Sequence, residues 1–123
     1  MIKTGWVLSA LVVLFLLGAS AAPKLMGSSL ALEPLAVVGW PAKYLLLIGV
    51  IEIVCAVLYI IPRTALLGAV LLTALLGAAL AANLRVDNPL LSHTLFSVYF
   101  GTLAWVAQWL REPRIRTLFP IVR

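Results

Sequence analysis

The stretch LLLIGVIEIVCAVLYIIPRT, residues 45–64, contains a single carboxylate, Glu52, in an otherwise apolar run. We expect this helix to begin at Pro41, because proline suits the first helical position. Glu52 would then lie about eleven residues along the helix, on the order of 16 Å from its outer end and close to the membrane midplane. An ionised side chain that faces lipid at this depth is energetically costly. We therefore predict that Glu52 points into a helical bundle and is either protonated or paired.

The composition places the chain outside the soluble class. Of its 123 residues, 64% are hydrophobic and 11% are charged, and the mean hydropathy is +1.17. Soluble domains carry about 25% charged residues. Residues 4–23 and 64–84 carry no charge, and residues 88–110 contain only one histidine. Each run has about the 20 residues needed to cross a bilayer core.

These runs predict an all-α membrane protein, an antiparallel bundle of four transmembrane helices in a single domain. The predicted spans are residues 4–26, 41–61, 64–83 and 89–110, followed by a basic cytoplasmic tail at 111–123. A short interfacial helix is expected between the first two spans, capped by Ser28 or Ser29. Pro23 either ends the first span or only kinks it; in the second case Gly27 caps the helix and Lys24 lies in its last turn.

The N-terminus also resembles a cleavable signal peptide, with a basic start, an apolar run and the letters ASA near its end. We expect the segment to be retained as a first span, because its apolar run has the length of a full span.

The formal net charge of +5 is explained by topology. Most of the basic residues fall on one side of a four-span protein, which predicts both termini in the cytoplasm and a location in the plasma or inner membrane. This richer side holds Lys3, Arg63, Arg111, Arg114, Arg116 and Arg123, and the other side holds Lys24, Lys43 and Arg85. No basic patch is interleaved with aromatic residues, so no nucleic-acid partner is expected.

Two sets of polar residues are candidates for a binding site. Cys55 and Tyr59 follow Glu52 at i+3 and i+7, so the three share one helix face. This face is either a ligand or proton site, or a packing device in which a neutral carboxyl bonds to a neighbouring helix. The second group gathers at the outer ends of the helices: Lys24, Asn83, Arg85, Asp87 and His93.

Within the outer group we expect different roles. Arg85 and Asp87 suit solvated anchors at the headgroups. His93 is either part of a site or a satisfied interface histidine. Lys24 is the best counter-charge for Glu52, and a direct pair requires the first helix to continue past Pro23. One cysteine and one histidine cannot supply an ordinary metal site. No catalytic residue is predicted, and no Walker or Rossmann loop is present.

Small residues recur every fourth position in the third span, at Ala69, Thr73, Gly77 and Ala81, and again at Ser97 and Gly101 in the fourth. This spacing lets helix backbones approach closely in lipid.

The region GVIEIVCAVLYIIPRTALLGAVLLTALLGAALAANLRVDNPLLSHTLFSVYFGTLAWVAQWLREPRIRTLFP resembles the DoxX-like family of small four-helix membrane proteins. The resemblance is carried by Glu52, by PRT at 62–64, by the small-residue third helix, by LRVDNPLLSHTLFSVYFG and by the tail LREPRIRTLFP. One departure is Asn83, where members of the family often have a histidine. The family includes small membrane subunits of redox complexes and an assembly chaperone, so the resemblance implies the fold more than an activity.

Two functions follow as expectations. The first is a membrane subunit or small-molecule binding module of a redox-linked complex, which holds a quinone or another lipophilic ligand near Glu52 and acts as an oxidoreductase subunit rather than a complete enzyme. The second is a non-catalytic assembly factor or scaffold. The lipid bilayer is the expected surrounding, with a redox partner, an assembly partner or a second copy in a homo-oligomer; no cofactor is encoded by a motif.

Overall fold

The structure is a computed structural model that describes residues 1–27, 29–91, 95–118 and 120–122. Its described residues form six helices and no strand. They are α1 (Ile2–Leu25), α2 (Ser29–Val37), α3 (Leu45–Ile60), α4 (Ala65–Arg85), α5 (Phe96–Arg111) and α6 (Pro113–Leu118). Two of them, α1 and α4, have the length and apolar character of membrane spans, and α3 is a shorter apolar helix. The prediction of an all-helical protein is confirmed.

The first helix continues past Pro23. Residues Leu16–Ala21 adopt π-helical geometry, and Ala22–Leu25 return to an α-helix that contains Pro23 near its start. A proline ring clashes with the carbonyl four residues earlier and removes a donor. The wider π turn directly before Pro23 accommodates both defects. The helix ends as the second alternative predicts, with Gly27 in the left-handed region at φ 65°.

The connection between α1 and α3 contains the expected short helix, α2. Leu35 of α2 packs with Leu45 at the start of α3, together with Leu32 and Ile48. Gly39 follows at φ 84° and reverses the chain toward α3. Of the two serines predicted to cap this helix, Ser29 is its first residue, and Ser28 lies outside the described residues.

The helix expected to begin at Pro41 opens there with a 3₁₀ turn and becomes α-helical later. Ala42–Tyr44 form a 3₁₀ turn, in which the Tyr44 amide donates to the Pro41 carbonyl at 3.1 Å. The α-helix begins only at Leu45 and ends at Ile60. Glu52 therefore lies about seven residues into α3, roughly 10 Å from its start.

Helical geometry is present at Leu90 and Leu91, directly after the predicted start of the fourth span at Pro89, and the Leu95 amide donates to the Leu90 carbonyl at 2.9 Å. Residues 92–94 lie outside the described residues, and the described α-helix α5 begins at Phe96. Asn88 contributes to the end of α4. Its amide donates to the Asn83 carbonyl at 3.1 Å, the Asp87 amide donates to Leu84 at 3.2 Å, and Asp87 has φ 56°. This is a Schellman motif with aspartate at the left-handed position.

The four longer helices run antiparallel to their neighbours. On α1 and α5, Gly5 lies against Ala107 and Phe15 lies against Phe96, with ring centroids 5.7 Å apart. The α3–α4 pair is a hairpin, in which Gly68 lies against the backbone of Tyr59.

One buried apolar cluster joins all four longer helices. Its members are Val12, Leu16, Cys55, Ala56, Tyr59, Ala69, Leu72, Phe100 and Ala104. Large apolar side chains, including Leu14, Leu46, Leu67 and Val98, are exposed on the outer faces of the same helices. A helix that is apolar on both its inner and outer faces is typical of a membrane protein.

Candidate functional site

Glu52 lies on the buried face of α3. The face consists of Leu45, Gly49, Glu52, Cys55, Ala56 and Tyr59, which recur at the three- and four-residue spacing of one helix side. Glu52 is only 6% exposed. The prediction that this carboxylate points into the bundle is confirmed.

The Glu52 carboxylate is paired with α1. The Lys24 Nζ lies 2.8 Å from Glu52 Oε1, and the Ser20 hydroxyl donates to the same oxygen at 3.0 Å. Lys24 Nζ also donates to the Ser20 hydroxyl at 2.9 Å and to the Ser20 carbonyl at 3.3 Å. The three side chains form a closed triangle, in which the hydroxyl accepts from the ammonium and donates to the carboxylate.

The local structure of α1 and a glycine on α3 make this pairing geometrically possible. Lys24 reaches Glu52 because α1 continues through Pro23, so that Ser20 and Lys24 lie one turn apart on the same face. On α3, Gly49 lies one turn before Glu52. A Cβ atom at this glycine would lie 3.1 Å from the Lys24 Cβ and 3.5 Å from the Ala21 carbonyl oxygen. Gly49 therefore leaves the space that the lysine stem occupies.

The second carboxylate oxygen, Oε2 of Glu52, is buried and has no hydrogen-bond partner among the described residues. A carboxylate can accept about four hydrogen bonds, and an unsatisfied buried polar atom costs roughly 1–3 kcal/mol. The site thus presents one free acceptor beside a cation whose side chain remains 18% exposed.

Cys55 and Tyr59 share the buried face as predicted, but Tyr59 belongs to a different polar cluster. Its hydroxyl donates to the Ala104 carbonyl at 2.6 Å and lies 3.5 Å from the Ser9 hydroxyl. Cys55 is buried within the apolar cluster between the helices.

The sequence did not predict this second cluster, at the end of the bundle where α1 begins and α5 ends. Arg111 donates to the Tyr59 carbonyl, and its guanidinium carbon lies 4.5 Å from the Trp6 ring centroid and 4.8 Å from that of Tyr59. Gln108, one turn earlier, is fully buried, and neither atom of its amide group has a partner among the described residues.

The predicted basic tail at 111–123 does not begin as expected. Arg111 is the last residue of α5 and is only 5% exposed, because its stem and guanidinium cover the Trp6 and Tyr59 rings. The short helix α6 folds back and buries Ile115. Beyond the bundle, the hydrogen bond from Arg114 lowers the pKa of the Glu112 carboxyl below its usual range.

The outer group is only partly assembled. Asn83 donates to the Ala79 carbonyl at 2.8 Å and accepts from the Asn88 amide group at 2.6 Å, so it completes the end of α4. Arg85 donates to the Val38 carbonyl at 2.6 Å and ties α4 to the segment after α2. Among the described residues, neither has a hydrogen bond or ion pair with Glu52 or Lys24. The predicted site residue His93 lies outside the described residues.

Two cavities lie away from the ion pair. One, of about 540 Å³, lies between α4 and α5, and the other, of about 430 Å³, lies between α3 and α4 and is bordered by Cys55. Glu52 and Lys24 line neither cavity. Within the described ranges no three His, Cys, Asp or Glu side chains are grouped as metal ligands.

An all-helical membrane protein with a buried carboxylate paired across two helices is the class defined by this fold and site. The chain belongs to the DoxX-like family, whose sequence profile matches residues 7–107. Comparisons with curated proteins and with solved structures find no significant match.

Proposed function

We propose that this protein is a membrane-embedded binding module that holds the polar head of a lipophilic ligand against Glu52, within a redox-linked complex. The unpartnered Oε2 of Glu52 carries the proposal, because a buried acceptor beside a fixed cation suits a ligand with a hydroxyl donor. A quinol has such hydroxyls on an apolar ring, and ligand sites in proteins typically combine apolar walls with a few fixed polar groups.

Access is provided by the seam between α1 and α3. The Lys24 side chain is 18% exposed there, and the three atoms nearest to a Cβ added at Gly49 belong to Lys24, Leu25 and Ala21 of α1. A ligand that enters along this seam meets the ammonium first and the free carboxylate oxygen next.

The proposed arrangement in the membrane is four antiparallel spans built on α1, α3, α4 and α5, with both termini in the cytoplasm. The excess of lysine and arginine at the end where α1 begins and α5 ends supports this orientation. The two 16-residue helices, α3 and α5, are each about 24 Å long and need their flanking turns to cross a core of roughly 30 Å.

Equilibrium binding of a short-chain benzoquinol, and separately of its oxidised quinone, to the purified protein in nanodiscs tests the function. Because Oε2 only accepts hydrogen bonds, we expect the quinol to bind more tightly than the quinone. Glu52→Gln should weaken quinol binding about tenfold or more, as expected for a hydrogen bond to a charged group. The matched control is Glu33→Gln, which changes an exposed carboxylate on α2 and should leave binding unchanged. Equal quinol binding by the wild type and Glu52→Gln, or saturable binding by neither, rejects the function.

A second candidate function, an assembly factor or scaffold, is favoured by a different observation. Ser20 and Lys24 already bond to Glu52 Oε1, and both cavities open between helices elsewhere. In this function the ion pair holds α1 to α3, and the outer faces bind a partner's membrane helices. Crosslinking in native membranes should then capture one partner at fixed stoichiometry, and Glu52→Gln should reduce capture only as far as it reduces folding.

A further inference from the structure

The larger cavity is a groove on the outside of the bundle, between α4 and α5. Its walls are apolar side chains and small residues, with three hydroxyl side chains. The residues that line the groove are Thr73, Leu76, Gly77, Leu80, Ser97, Val98, Gly101, Thr102, Trp105 and Val106, with Trp109 and Pro120 at one end. Two small residues open its floor. A Cβ atom at Gly77 would meet nothing within 4 Å, and one at Gly101 would meet only Leu76, at an ordinary 3.4 Å. The small residues of this face therefore leave space, and the two helices do not close over them.

The length of the groove matches one leaflet of a bilayer. Along α5 it extends from Ser97 to Trp109, which corresponds to about 18 Å at the helical rise of 1.5 Å per residue. Half of a hydrocarbon core of roughly 30 Å is about 15 Å. One acyl chain of a lipid in that leaflet therefore spans the groove from end to end.

The end of the groove at Trp109 is basic. Arg116 of α6 lies over the Trp109 ring, with its guanidinium carbon 5.4 Å from the centroid. Its Nε and Nη2 donate to the carbonyls of Trp109 and Leu110, which fixes the side chain at the end of the groove that faces the cytoplasmic membrane surface in the proposed orientation. Arg114, on the same short helix, has a side chain that is 83% exposed and pairs with Glu112. Basic side chains at this depth attract anionic headgroups.

We propose that this groove binds one anionic phospholipid, with an acyl chain along Gly77 and Gly101 and the phosphate beside Arg116. The combination of leaflet length, apolar walls and a fixed cation at the Trp109 end selects this occupant. A partner helix or a second copy would use the apolar walls without requiring Arg116. The site is independent of the Lys24–Glu52 pair, since the two share no residue.

The test measures lipid retained by the protein after extraction from nanodiscs made of equal parts phosphatidylcholine and phosphatidylglycerol, read by native mass spectrometry. The wild type should keep one phosphatidylglycerol in preference to phosphatidylcholine. Gly77→Leu projects a side chain into the groove without a backbone clash and should lose most of the bound lipid. Gly18→Leu is the matched control, because a Cβ atom at this exposed glycine on α1 also meets nothing within 4 Å; it should retain the lipid.

Arg116→Gln tests the contribution of the lipid headgroup separately from that of the acyl chain. It should reduce the preference for phosphatidylglycerol about fivefold and leave an intact groove, with circular dichroism checking that each variant is folded. Equal retention by wild type and Gly77→Leu overturns the proposal, as does a wild type that shows no preference for the anionic lipid. A homodimer that crosslinks through the groove in the wild type and is lost in Gly77→Leu also overturns it, because the occupant would then be a second copy.

Discussion

The ammonium of Lys24 lies 2.8 Å from the carboxylate of Glu52, although the two residues belong to different helices separated by the α2 connection. Both charges are largely removed from water, with side-chain exposures of 18% and 7%. The pair therefore satisfies the requirement that a carboxylate inside an apolar bundle has a partner. Each residue depends on the other, because either one alone would leave a buried charge.

Lys24→Met should lower the free energy of unfolding by about 3 kcal/mol, because it leaves the buried Glu52 carboxylate without its cation. The double variant Lys24→Met with Glu52→Gln should lose less than this single variant, since both charges are then absent. Reversible unfolding in mixed detergent micelles, followed by circular dichroism, measures the difference.

The control for this cycle is Lys43→Met, which removes an exposed lysine and should change stability by less than about 0.5 kcal/mol. If the double variant loses as much as the sum of the two single variants, the two charges do not interact and the pairing is refuted.

Gly49→Ala should destabilise the protein by about 1–2 kcal/mol, although alanine is the better helix former. The added Cβ lies 3.1 Å from the Lys24 Cβ, so α1 must shift away from α3, and overpacking of this kind costs about 1–3 kcal/mol. Gly77→Ala is the matched control. Its Cβ meets nothing within 4 Å, so it should stabilise the helix by up to about 1 kcal/mol. Thermal melts that rank both alanine variants above the wild type would contradict the close approach at Gly49.

Part of this arrangement could be predicted from the sequence. Glu52 stands alone in an apolar run, so lipid itself excludes an outward orientation. A first helix that continues past Pro23 carries Lys24 in its last turn as the counter-charge. Ser20 could not be assigned, because serine is ordinary in membrane helices and its contact depends on the π-helical turn before Pro23. That turn depends on how the helix relieves the proline clash, which hydropathy does not report.

The start of α3 and the burial of Arg111 show a second limit of what the sequence alone predicts. Pro41 follows a pattern that starts helices, but a 3₁₀ turn over Ala42–Tyr44 comes first, and the α-helix begins at Leu45. Arg111 begins a basic run that predicted a cytoplasmic tail. Its burial follows from two aromatic rings, Trp6 and Tyr59, that lie far away in the sequence.

Arg111→Met should reduce the free energy of unfolding by about 2–3 kcal/mol. The change removes a buried hydrogen bond from a charged donor to the Tyr59 carbonyl and the contacts of the guanidinium with two aromatic faces. Arg114→Met is the comparison, because the Arg114 side chain is 83% exposed and its ion pair with Glu112 is at the surface; it should change stability by less than about 1 kcal/mol. Equal losses for the two variants would show that Arg111 contributes no more than a surface charge.

Gln108→Leu should leave stability unchanged or raise it by about 1 kcal/mol. Gln108 is fully buried, and neither amide atom has a partner among the described residues. Leucine removes this unsatisfied group and keeps most of the volume. Removing a buried polar group that has no partner is close to neutral or favourable, whereas Gln108→Ala also opens a cavity and should lose about 2 kcal/mol. Unfolding curves of the two variants, measured side by side, decide between these outcomes. A loss of stability above about 1 kcal/mol for the leucine variant would mean that the Gln108 amide is hydrogen-bonded in the membrane.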